Sequence, residues 1–296
     1  MKKRFAVVYQ IGKVASTSIV ATLNEIDAVE AVQSHFLGKY SLMESLATLT
    51  SEDISDYFFE HQIGQFIENA RLTRRIRAIR SGRADERLLV ISLTRDPLDW
   101  FRSSVVQDMD GHLPNFRVLL DSLGVAYGND SNAVVIALTR LFNVYAKILH
   151  RFDGIDNTVK LLRVSSDAVF DGSSIENDLQ SRRFFYMMLR PFDWFQKHFQ
   201  NALDIKLEDM SRSDGISRYS DETGDFFIIR YEDLQNATAT CLAEIGIKNM
   251  PKLKRENISK DKLFSEETKK AFLSPAAERL NSFFKKSEYS KTFGYS

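Results

Sequence analysis

One lysine and a run of three hydroxyl residues follow a short apolar stretch near the start of the chain. Residues 12–18 read GKVASTS, in which Lys13 stands three residues before the run Ser16 to Ser18. A lysine ammonium, hydroxyl donors and the N–H groups at the start of a helix all favour a negatively charged ligand. The pattern therefore predicts an anion site.

The common nucleoside-triphosphate loop does not fit this stretch. That loop requires the spacing G-x-x-x-x-G-K-[ST], in which a hydroxyl residue directly after the lysine binds Mg²⁺. Here the first glycine is missing, and Val14 stands directly after Lys13. A dinucleotide loop is also excluded, because no G-x-G-x-x-G follows any predicted strand. The expected ligand is an anion other than Mg-ATP.

A second pattern suited to an anion, this one based on an arginine, occurs later in the chain. The segment VISLTRDPLDWFRSS places Arg95 at the end of a buried apolar run and Ser103 eight positions after it. An arginine can bind a phosphate with two parallel charged hydrogen bonds. The alternative is a strand end followed by a proline-started helix, in which Arg95 and Asp96 are merely solvated or paired.

The elements that must position these residues alternate between strands and helices. Continuous apolar runs of strand length indicate strands buried on both faces, and periods near 3.6 indicate helices. Ser16 or Thr17 is expected to cap the first helix. The predicted strands are 4–10, 28–35, 87–94 and 225–234. The predicted helical regions are 16–26, 41–82 with a break near 50–53, 98–203 with breaks at GHLPN and GND, and 191–203 with Pro191 in its first turn. Residues 211–225 are predicted to form a surface loop, and the last 45 residues an amphipathic, lysine-rich segment.

This order of elements predicts an α/β fold with a parallel sheet and crossover helices. We expect one domain over residues 1–296 with a helical insertion at about 98–203, since no linker rich in Pro, Gly or Ser interrupts the chain. Ligands of such sheets bind at the carboxyl ends of the strands. The GKVASTS loop and Arg95 are both predicted to lie at that edge.

The three motifs together resemble those of the sulfotransferases that use 3′-phosphoadenosine 5′-phosphosulfate. GKVASTSI is similar to their 5′-phosphosulfate loop, the Arg95/Ser103 pair to their 3′-phosphate motif, and FFIIRYEDL to a late strand of the superfamily. The opening YQIGKVASTSI and the aromatic DWF segment resemble most closely a bacterial family associated with capsular polysaccharide synthesis. The resemblance is best over the first 40 residues and 88–105, moderate over 191–235, and loose over the last 60.

The resemblance implies a fold, a donor and a set of roles. It implies a P-loop-like, three-layer α/β/α domain with a helix-rich middle, which takes 3′-phosphoadenosine 5′-phosphosulfate as donor and needs no metal. Lys13 would contact the leaving-group oxygen and the transferred sulfuryl group, and Arg95 with Ser103 would bind the 3′-phosphate. The residues implied to hold the 5′-phosphate are Gly12, Lys13, Ala15, Ser16, Thr17 and Ser18. The implied acceptor is a hydroxyl of a carbohydrate, such as a capsular or cell-surface polysaccharide.

Sulfuryl transfer also needs a base for the acceptor proton. His35 is the last residue of the predicted second strand, which places it at the same edge of the sheet, and a neutral imidazole suits base catalysis near pH 7. The resemblance supports a histidine in this region without deciding between it and a glutamate. A histidine with a structural hydrogen bond is the alternative, and His61 and Glu60 are the other candidate bases.

Three further segments have both a structural and a functional interpretation. Seven arginines lie within 71–87, which indicates either a solvated helix face or a basic wall for an acidic saccharide. The FDWF segment, 192–195, is either core packing or a platform for a sugar ring. Glu232 and Asp233 are expected to pair with an arginine, for the site or for stability alone.

Composition excludes several classes of function. Lysine plus arginine equals aspartate plus glutamate at 40 each, which argues against a general nucleic-acid binder. The single cysteine, Cys241, excludes an internal disulfide and a cysteine-rich zinc site, and the five histidines lack ligand spacing. The apolar run of MKKRFAVVYQ is too short for a signal peptide, and no apolar stretch approaches 18 residues. We therefore expect a cytoplasmic protein without a transmembrane segment.

Two other functions remain open on the sequence. One is a Mg²⁺-dependent nucleotide or sugar kinase with a degenerate phosphate loop. The other is a non-catalytic nucleotide-binding subunit of polysaccharide assembly, with the helical regions as interaction surfaces.

Overall fold

A computed structural model describes the chain over residues 4–12, 15–27, 29–50, 56–165, 168–170, 174–248, 250–253 and 262–296. The contacts divide the chain into two compact units. The first contains residues 1–95 and 194–256, and the second contains 96–193 and 257–296. The division into two units does not test whether the chain is one domain with a helical insertion at about 98–203, and that organisation stays a prediction.

The first unit is built on a six-stranded mixed sheet in the order β2-β1-β3-β6-β5-β4. The four strands β2, β1, β3 and β6 run parallel, and the pairs β6/β5 and β5/β4 are antiparallel. The α/β class is therefore confirmed, whereas a purely parallel sheet was wrong. The strands are β1 Arg4–Tyr9, β2 Val29–Ser34, β3 Arg87–Thr94, β4 Ser211–Ser213, β5 Ile216–Ser220 and β6 Gly224–Arg230.

Helices flank this sheet. They are α1 Ser16–Leu23, α2 Gly38–Leu49, α3 Asp56–Arg80, α10 Asn201–Leu203 and α11 Leu234–Glu244, with a π-helix at Phe195–Gln200 and 3₁₀ turns at Leu207–Asp209 and Tyr231–Asp233. The break predicted near 50–53 falls between α2 and α3, and residues 51–55 lie outside the described ranges. β1 and β3 are almost fully buried, as their continuous apolar runs predicted.

The segment predicted as a surface loop, 211–225, instead forms the antiparallel part of the sheet. β4 and β5 make a hairpin whose two central residues, Asp214 and Gly215, have φ of 51° and 71°. Two consecutive positive φ values produce the turn whose twist matches a two-residue hairpin, and Asp-Gly is a preferred pair for it. β5 then pairs with β6, which buries Ile216 and Ser217. The many polar residues of the segment concealed this pairing.

Ion pairs stabilise the amino edge of the sheet. Asp225 accepts hydrogen bonds from Arg4 at 2.6 Å and from Arg87 at 2.9 and 3.0 Å. Burial of the Asp225 carboxyl works against its ionisation, but the two arginines outweigh burial and lower its pKa below the usual range. The start of each of the three central parallel strands is thus tied to its neighbour.

Gly224 shows how closely β3 and β6 approach. A Cβ at this position would lie 2.6 Å from the backbone oxygen of Leu88, and that backbone cannot move without breaking the sheet. We therefore expect Gly224→Ala to lower the free energy of unfolding by about 1–3 kcal/mol, the usual cost of overpacking. Gly64→Ala is the matched control, because a Cβ there meets nothing within 4 Å on α3. Urea denaturation tests both, and equal stability of the two variants would contradict the expectation.

The second unit is helical. Its helices are α4 Pro97–Gln107, α5 Met109–Ser122, α6 Asp130–Arg151, α7 Ile155–Val164, α8 Ser174–Asn177, α9 Leu179–Trp194, α12 Ser265–Phe272, α13 Pro275–Lys286 and α14 Glu288–Phe293. The last residue of α9, Trp194, belongs to the first unit. Their core contains an aromatic cluster in which the Phe101 ring lies 5.4–5.9 Å from those of Phe142, Phe184 and Phe272. The helix-rich character predicted for this part of the chain is confirmed, although 257–261 at its C-terminal part are not described.

Two prolines lie inside helices rather than at helix starts. Pro191 was predicted to open a helix, but α9 begins twelve residues earlier at Leu179 and continues past it. Pro114 and the GHLPN stretch likewise lie within α5 instead of interrupting it. A proline inside a helix removes one hydrogen bond. The side chains around Pro191, among them Met188 and Leu189, are buried, and this burial overrides the local preference.

One helix of the described residues, α6, is long and apolar enough by composition to cross a membrane. Its most apolar window has a mean hydropathy of 1.3, and 56% of that window is buried. The buried side chains include Leu138, Leu141, Phe142 and Tyr145, and α6 packs against α5, α12 and α13. This pattern is also that of a core helix.

Candidate active site

The strand order reverses between β1 and β3. From β1 the chain passes through α1 to β2 on one side, and then through α2 and α3 to β3 on the other side of β1. Such a reversal opens a crevice at the carboxyl ends of the two strands, where open α/β sheets bind ligands. Val8 of β1 is in register with Ile91 of β3. Four residues after each of them, the two segments reach Gly12 and Arg95. The two predicted ligand-binding segments therefore leave adjacent strands at one edge.

The connection from β1 to α1 has an unusual backbone. Gly12 has φ of 95°, and Ala15, the N-cap of α1, has φ of 60° in the left-handed region. This conformation costs a residue with a Cβ about 1–2 kcal/mol. No side chain of the N-cap accepts a hydrogen bond from the first turn. Ser16 or Thr17 as N-cap was thus wrong, and the start of α1 keeps backbone N–H groups suited to an anion.

Lys13 and Val14 lie outside the described residues, so the role of Lys13 stays a prediction. The three hydroxyl residues differ in exposure. Thr17 is exposed, whereas Ser16 and Ser18 are 6% and 4% exposed. Of the three predicted hydroxyl donors, Thr17 is therefore the one that solvent or a ligand reaches most easily.

Gln10 organises the edge next to this loop. The residue is fully buried, and its side-chain oxygen accepts a hydrogen bond from the Gly12 N–H. Its backbone oxygen lies 2.9 Å from Nδ1 of His35, which directly follows β2, one residue beyond the strand end instead of at it. A Cβ on Gly12 would be 3.9 Å from Cε1 of that imidazole. The structure thus brings His35 against the loop that begins with Gly12.

Two groups of Gln10 face Nδ1 of His35, the backbone carbonyl at 2.9 Å and the side-chain nitrogen at 3.3 Å. The carbonyl is the closer of the two and can only accept a hydrogen bond, so it favours the tautomer with the proton on Nδ1. In the neutral ring the lone pair is then on Nε2, which lies 2.9 Å from the side-chain nitrogen of Gln33. His35 is half-buried. In this tautomer Nε2 accepts a hydrogen bond from the Gln33 amide, so an acceptor hydroxyl has to displace that amide before Nε2 can take its proton. The hydrogen bonds equally fit the structural alternative.

Arg95 lies at the end of β3, beside the end of β6. Its guanidinium carbon is 4.5 Å from the ring centroid of Tyr231, the first residue after β6. Stacking of an arginine on an aromatic face fixes the plane of the guanidinium while its N–H groups can still point outward. Tyr231 is therefore a positioning residue for Arg95.

Ser103, the predicted partner of Arg95, belongs to the second unit, where it is half-buried on α4. The pairing of the two residues stays a prediction. The start of α4 differs from that of α1, because Asp96 caps it by accepting from the N–H groups of Leu98 and Asp99 at 3.0 Å each. A carboxylate already occupies this helix terminus. The start of α4 is therefore less suited to an anion than that of α1, and Arg95 is the predicted anion-binding group after β3.

Three arginines of the arginine-rich run, Arg75, Arg80 and Arg87, form ion pairs that stabilise the fold. Arg75 pairs with Glu30 and Glu86 and lies 3.6 Å above the Phe5 ring. Arg80 pairs with Asp221 and Arg87 with Asp225, and Arg87 begins β3. The end of the run therefore lies at the amino edge, opposite the edge that bears Arg95. The other four, Arg71, Arg74, Arg77 and Arg83, are exposed.

Two other predicted segments have a structural explanation. Within the first unit, the Trp194 ring is 1% exposed and lies 4.9 Å from those of Tyr9 and Phe195, as expected for core packing. Arg230 lies 3.6 Å from Asp233 and 3.9 Å from Glu232, so the expected pairing with an arginine is confirmed. Glu60 is exposed on α3, and the His61 side chain lies outside the described residues.

Sequence reasoning missed Gln10, Gln33 and Tyr231. A polar residue that ends a buried run directly before a glycine loop was a usable signal for Gln10. Nothing local singled out Tyr231, because its contact with Arg95 joins residues far apart along the chain. Gln33 lies only two residues from His35, and this short spacing was a usable signal.

Among the described residues, no three His, Cys, Asp or Glu side chains lie close enough together to hold a metal ion. No protein-family model, no curated protein and no solved structure matches this chain significantly.

Proposed function

We propose that this protein is a sulfotransferase that moves a sulfuryl group from 3′-phosphoadenosine 5′-phosphosulfate to a hydroxyl of a carbohydrate. The observation that carries the proposal is the adjacency of two cation- or amide-bearing segments, Gly12–Ser18 and Arg95, at the reversal between β1 and β3. A donor with phosphates at two positions needs two separate anion contacts. The domain is, on this proposal, a sulfotransferase-like member of the P-loop-like folds.

The residues present fit the 5′ end of the donor. The N–H groups from Ala15 to Ser18 begin a helix without a side-chain cap, and its dipole favours a negative charge there. Thr17 adds an exposed hydroxyl. Lys13, two residues before Ala15, supplies the full positive charge that neutralises the leaving phosphate.

The resemblance assigns the 3′-phosphate to Arg95 and Ser103, and the structural support for this assignment comes from Arg95 alone. Arg95 is oriented by the Tyr231 ring and can donate two charged hydrogen bonds to one phosphate. Ser103 adds a hydroxyl donor. Arg95, directly after β3, thus contributes affinity at a distance from the reacting sulfur, which suits a residue that binds the donor rather than activates it.

The reaction requires positioning, charge stabilisation and one proton transfer. The acceptor oxygen forms a bond to sulfur while the bond from sulfur to the 5′-phosphate oxygen breaks. Lys13 stabilises the negative charge that gathers on that oxygen. His35 takes the acceptor proton on Nε2, and the Gln10 carbonyl holds the ring through Nδ1. The products are the sulfated acceptor and 3′,5′-adenosine bisphosphate.

The acceptor and cellular setting follow from the resemblance. We propose a capsular or cell-surface polysaccharide, or its precursor, as acceptor and the cytoplasm as the site of action. The assignment of His35 as base is compatible with any hydroxyl acceptor, so it does not select the sugar.

We expect 3′,5′-adenosine bisphosphate to bind the full chain and to raise its thermal midpoint. At one hundred times the dissociation constant, binding to the folded state stabilises a protein by about 2.7 kcal/mol. Arg95→Ala should weaken this binding at least tenfold, because a charge-assisted contact is lost. Arg77→Ala removes an exposed arginine on α3 and serves as the control. Titration calorimetry and thermal unfolding measure both effects.

The same titrations separate the other two functions. Stabilisation by ATP with Mg²⁺, but not by the bisphosphate, would overturn the proposal in favour of a kinase. Bisphosphate binding without sulfuryl transfer to any of a panel of glycans would favour the non-catalytic subunit.

A further inference from the structure

The helical unit contains a cleft that the proposed reaction does not use. The cleft has a volume of about 350 Å³ and is lined by one face of α5, one face of α9 and Leu141 of α6. The residues that line it all lie between 108 and 187, within the second unit. Pockets for small organic molecules begin at about 300 Å³, so the cleft is large enough for a ligand of one or two rings.

The interior of the cleft is apolar and aromatic. Phe116 and Phe184 are 3% and 6% exposed, with ring centroids 5.6 Å apart in an edge-to-face arrangement. The His112 ring extends this wall, 5.0 Å from Phe184 and 6.0 Å from Phe116. Leu119 and Leu141 add buried apolar side chains to the lining, and Ser181 is its buried polar residue. An aromatic ligand would gain both burial and edge-to-face contacts here.

The rim of the cleft is polar. Arg183, exposed on α9, is one lining residue, and Gln180 and Asn115 add side-chain amides. No carboxylate within the described part of the chain forms an ion pair with Arg183, whereas Asp108 contributes a negative charge to the same rim. One arginine beside an aromatic interior favours a ligand with a single negative charge. Asp108 disfavours a second one.

Gly111 leaves the rim open. A Cβ at this position would meet nothing within 4 Å, although Gly111 lies on the face of α5 that lines the cleft. The interior is thus accessible beside the first turn of α5. An accessible apolar cleft with a charged rim has the features of a ligand site.

We propose that this cleft binds a small aromatic carboxylate, with its ring against Phe116 and Phe184 and its carboxylate at Arg183. The ligand is a second small molecule, different from the adenosine phosphate of the candidate active site. The inference rests on the helical unit alone and does not depend on the proposed transfer reaction.

Three probes of equal length test the class of ligand on the full chain: 3-phenylpropionate, 3-phenylpropan-1-ol and 3-phenylpropylamine. We expect the carboxylate to bind at least tenfold more tightly than the alcohol, and the amine to bind most weakly, in ligand-observed NMR titrations. Equal affinities for carboxylate and alcohol, tighter binding of the amine, or no binding of the carboxylate would each overturn the proposal.

Two pairs of variants test the location. Arg183→Gln should abolish the preference for the carboxylate, while Arg140→Gln, an exposed arginine on α6 outside the cleft, should preserve it. Met187→Trp should fill the cleft and weaken the carboxylate at least tenfold. Tyr186 directly precedes Met187 on α9 and is not part of the lining, so Tyr186→Trp should leave the affinity for the carboxylate unchanged. Circular dichroism checks folding, and an unaltered preference in Arg183→Gln would by itself contradict the site.

Discussion

Replacing Lys13 by alanine is expected to lower the rate of sulfuryl transfer by about 10³-fold, the scale of losing one charge-stabilising group in a transition state. The lysine follows Gly12 in the loop that leads to the uncapped start of α1. Negative charge on the 5′-phosphate oxygen is greatest as its bond to sulfur breaks. The loss should therefore fall on kcat more than on the affinity for 3′,5′-adenosine bisphosphate.

Lys39→Ala provides the matched control, because Lys39 is an exposed lysine on α2. Single-turnover assays with a saturating donor separate the chemical step from product release. Equal thermal midpoints for the two variants would show that the fold is intact. Undiminished turnover in Lys13→Ala would remove this residue from the mechanism.

His35→Ala has the second largest expected effect. General base catalysis contributes about 10²–10⁴-fold, so turnover should fall within that range. The affinity for 3′,5′-adenosine bisphosphate should stay within about threefold, because the imidazole is assigned to the acceptor proton rather than to a phosphate. Rates at saturating donor, together with calorimetric titration of the bisphosphate, measure the two quantities.

Two further substitutions distinguish a base from a structural histidine. Gln33→Ala removes the amide next to Nε2 of His35 but leaves the Gln10 carbonyl at Nδ1. It should retain turnover within a few-fold. His150→Ala, an exposed histidine on α6, should have no effect. Normal turnover in His35→Ala would move the base elsewhere, for example to Glu60.

The predicted elements were most accurate where burial is uniform. β3 was predicted at 87–94 and begins and ends at those residues, since an apolar run buried on both faces has sharp limits. β1 and β2 also agree within one residue at each end. The predicted limits of β2 ended on His35, and the structure places this residue directly after the strand, at the same edge of the sheet.

The errors arose where local chemistry and tertiary packing disagree. The Asp214–Gly215 pair was a usable hairpin signal, but the polar residues around it suggested a loop until β6 supplied a partner strand. Pro191 looked like a helix start because proline suits a first turn. The apolar side chains that hold α9 together through this point are buried only by contacts distant in sequence.

The sequence by itself determined which residues stand at the strand ends: Gly12 and Lys13 after β1, His35 after β2 and Arg95 after β3. It also determined the α/β class, because alternating buried runs and helical periods are local properties. Only the tertiary structure decided that β3 pairs with β1 and that His35 is held by Gln10. It also decided that Asp96 closes the start of α4 while that of α1 has no side-chain cap. Strand order and caps depend on which distant segments pair and on the local φ of a few residues, and hydrophobic periodicity carries no information about either.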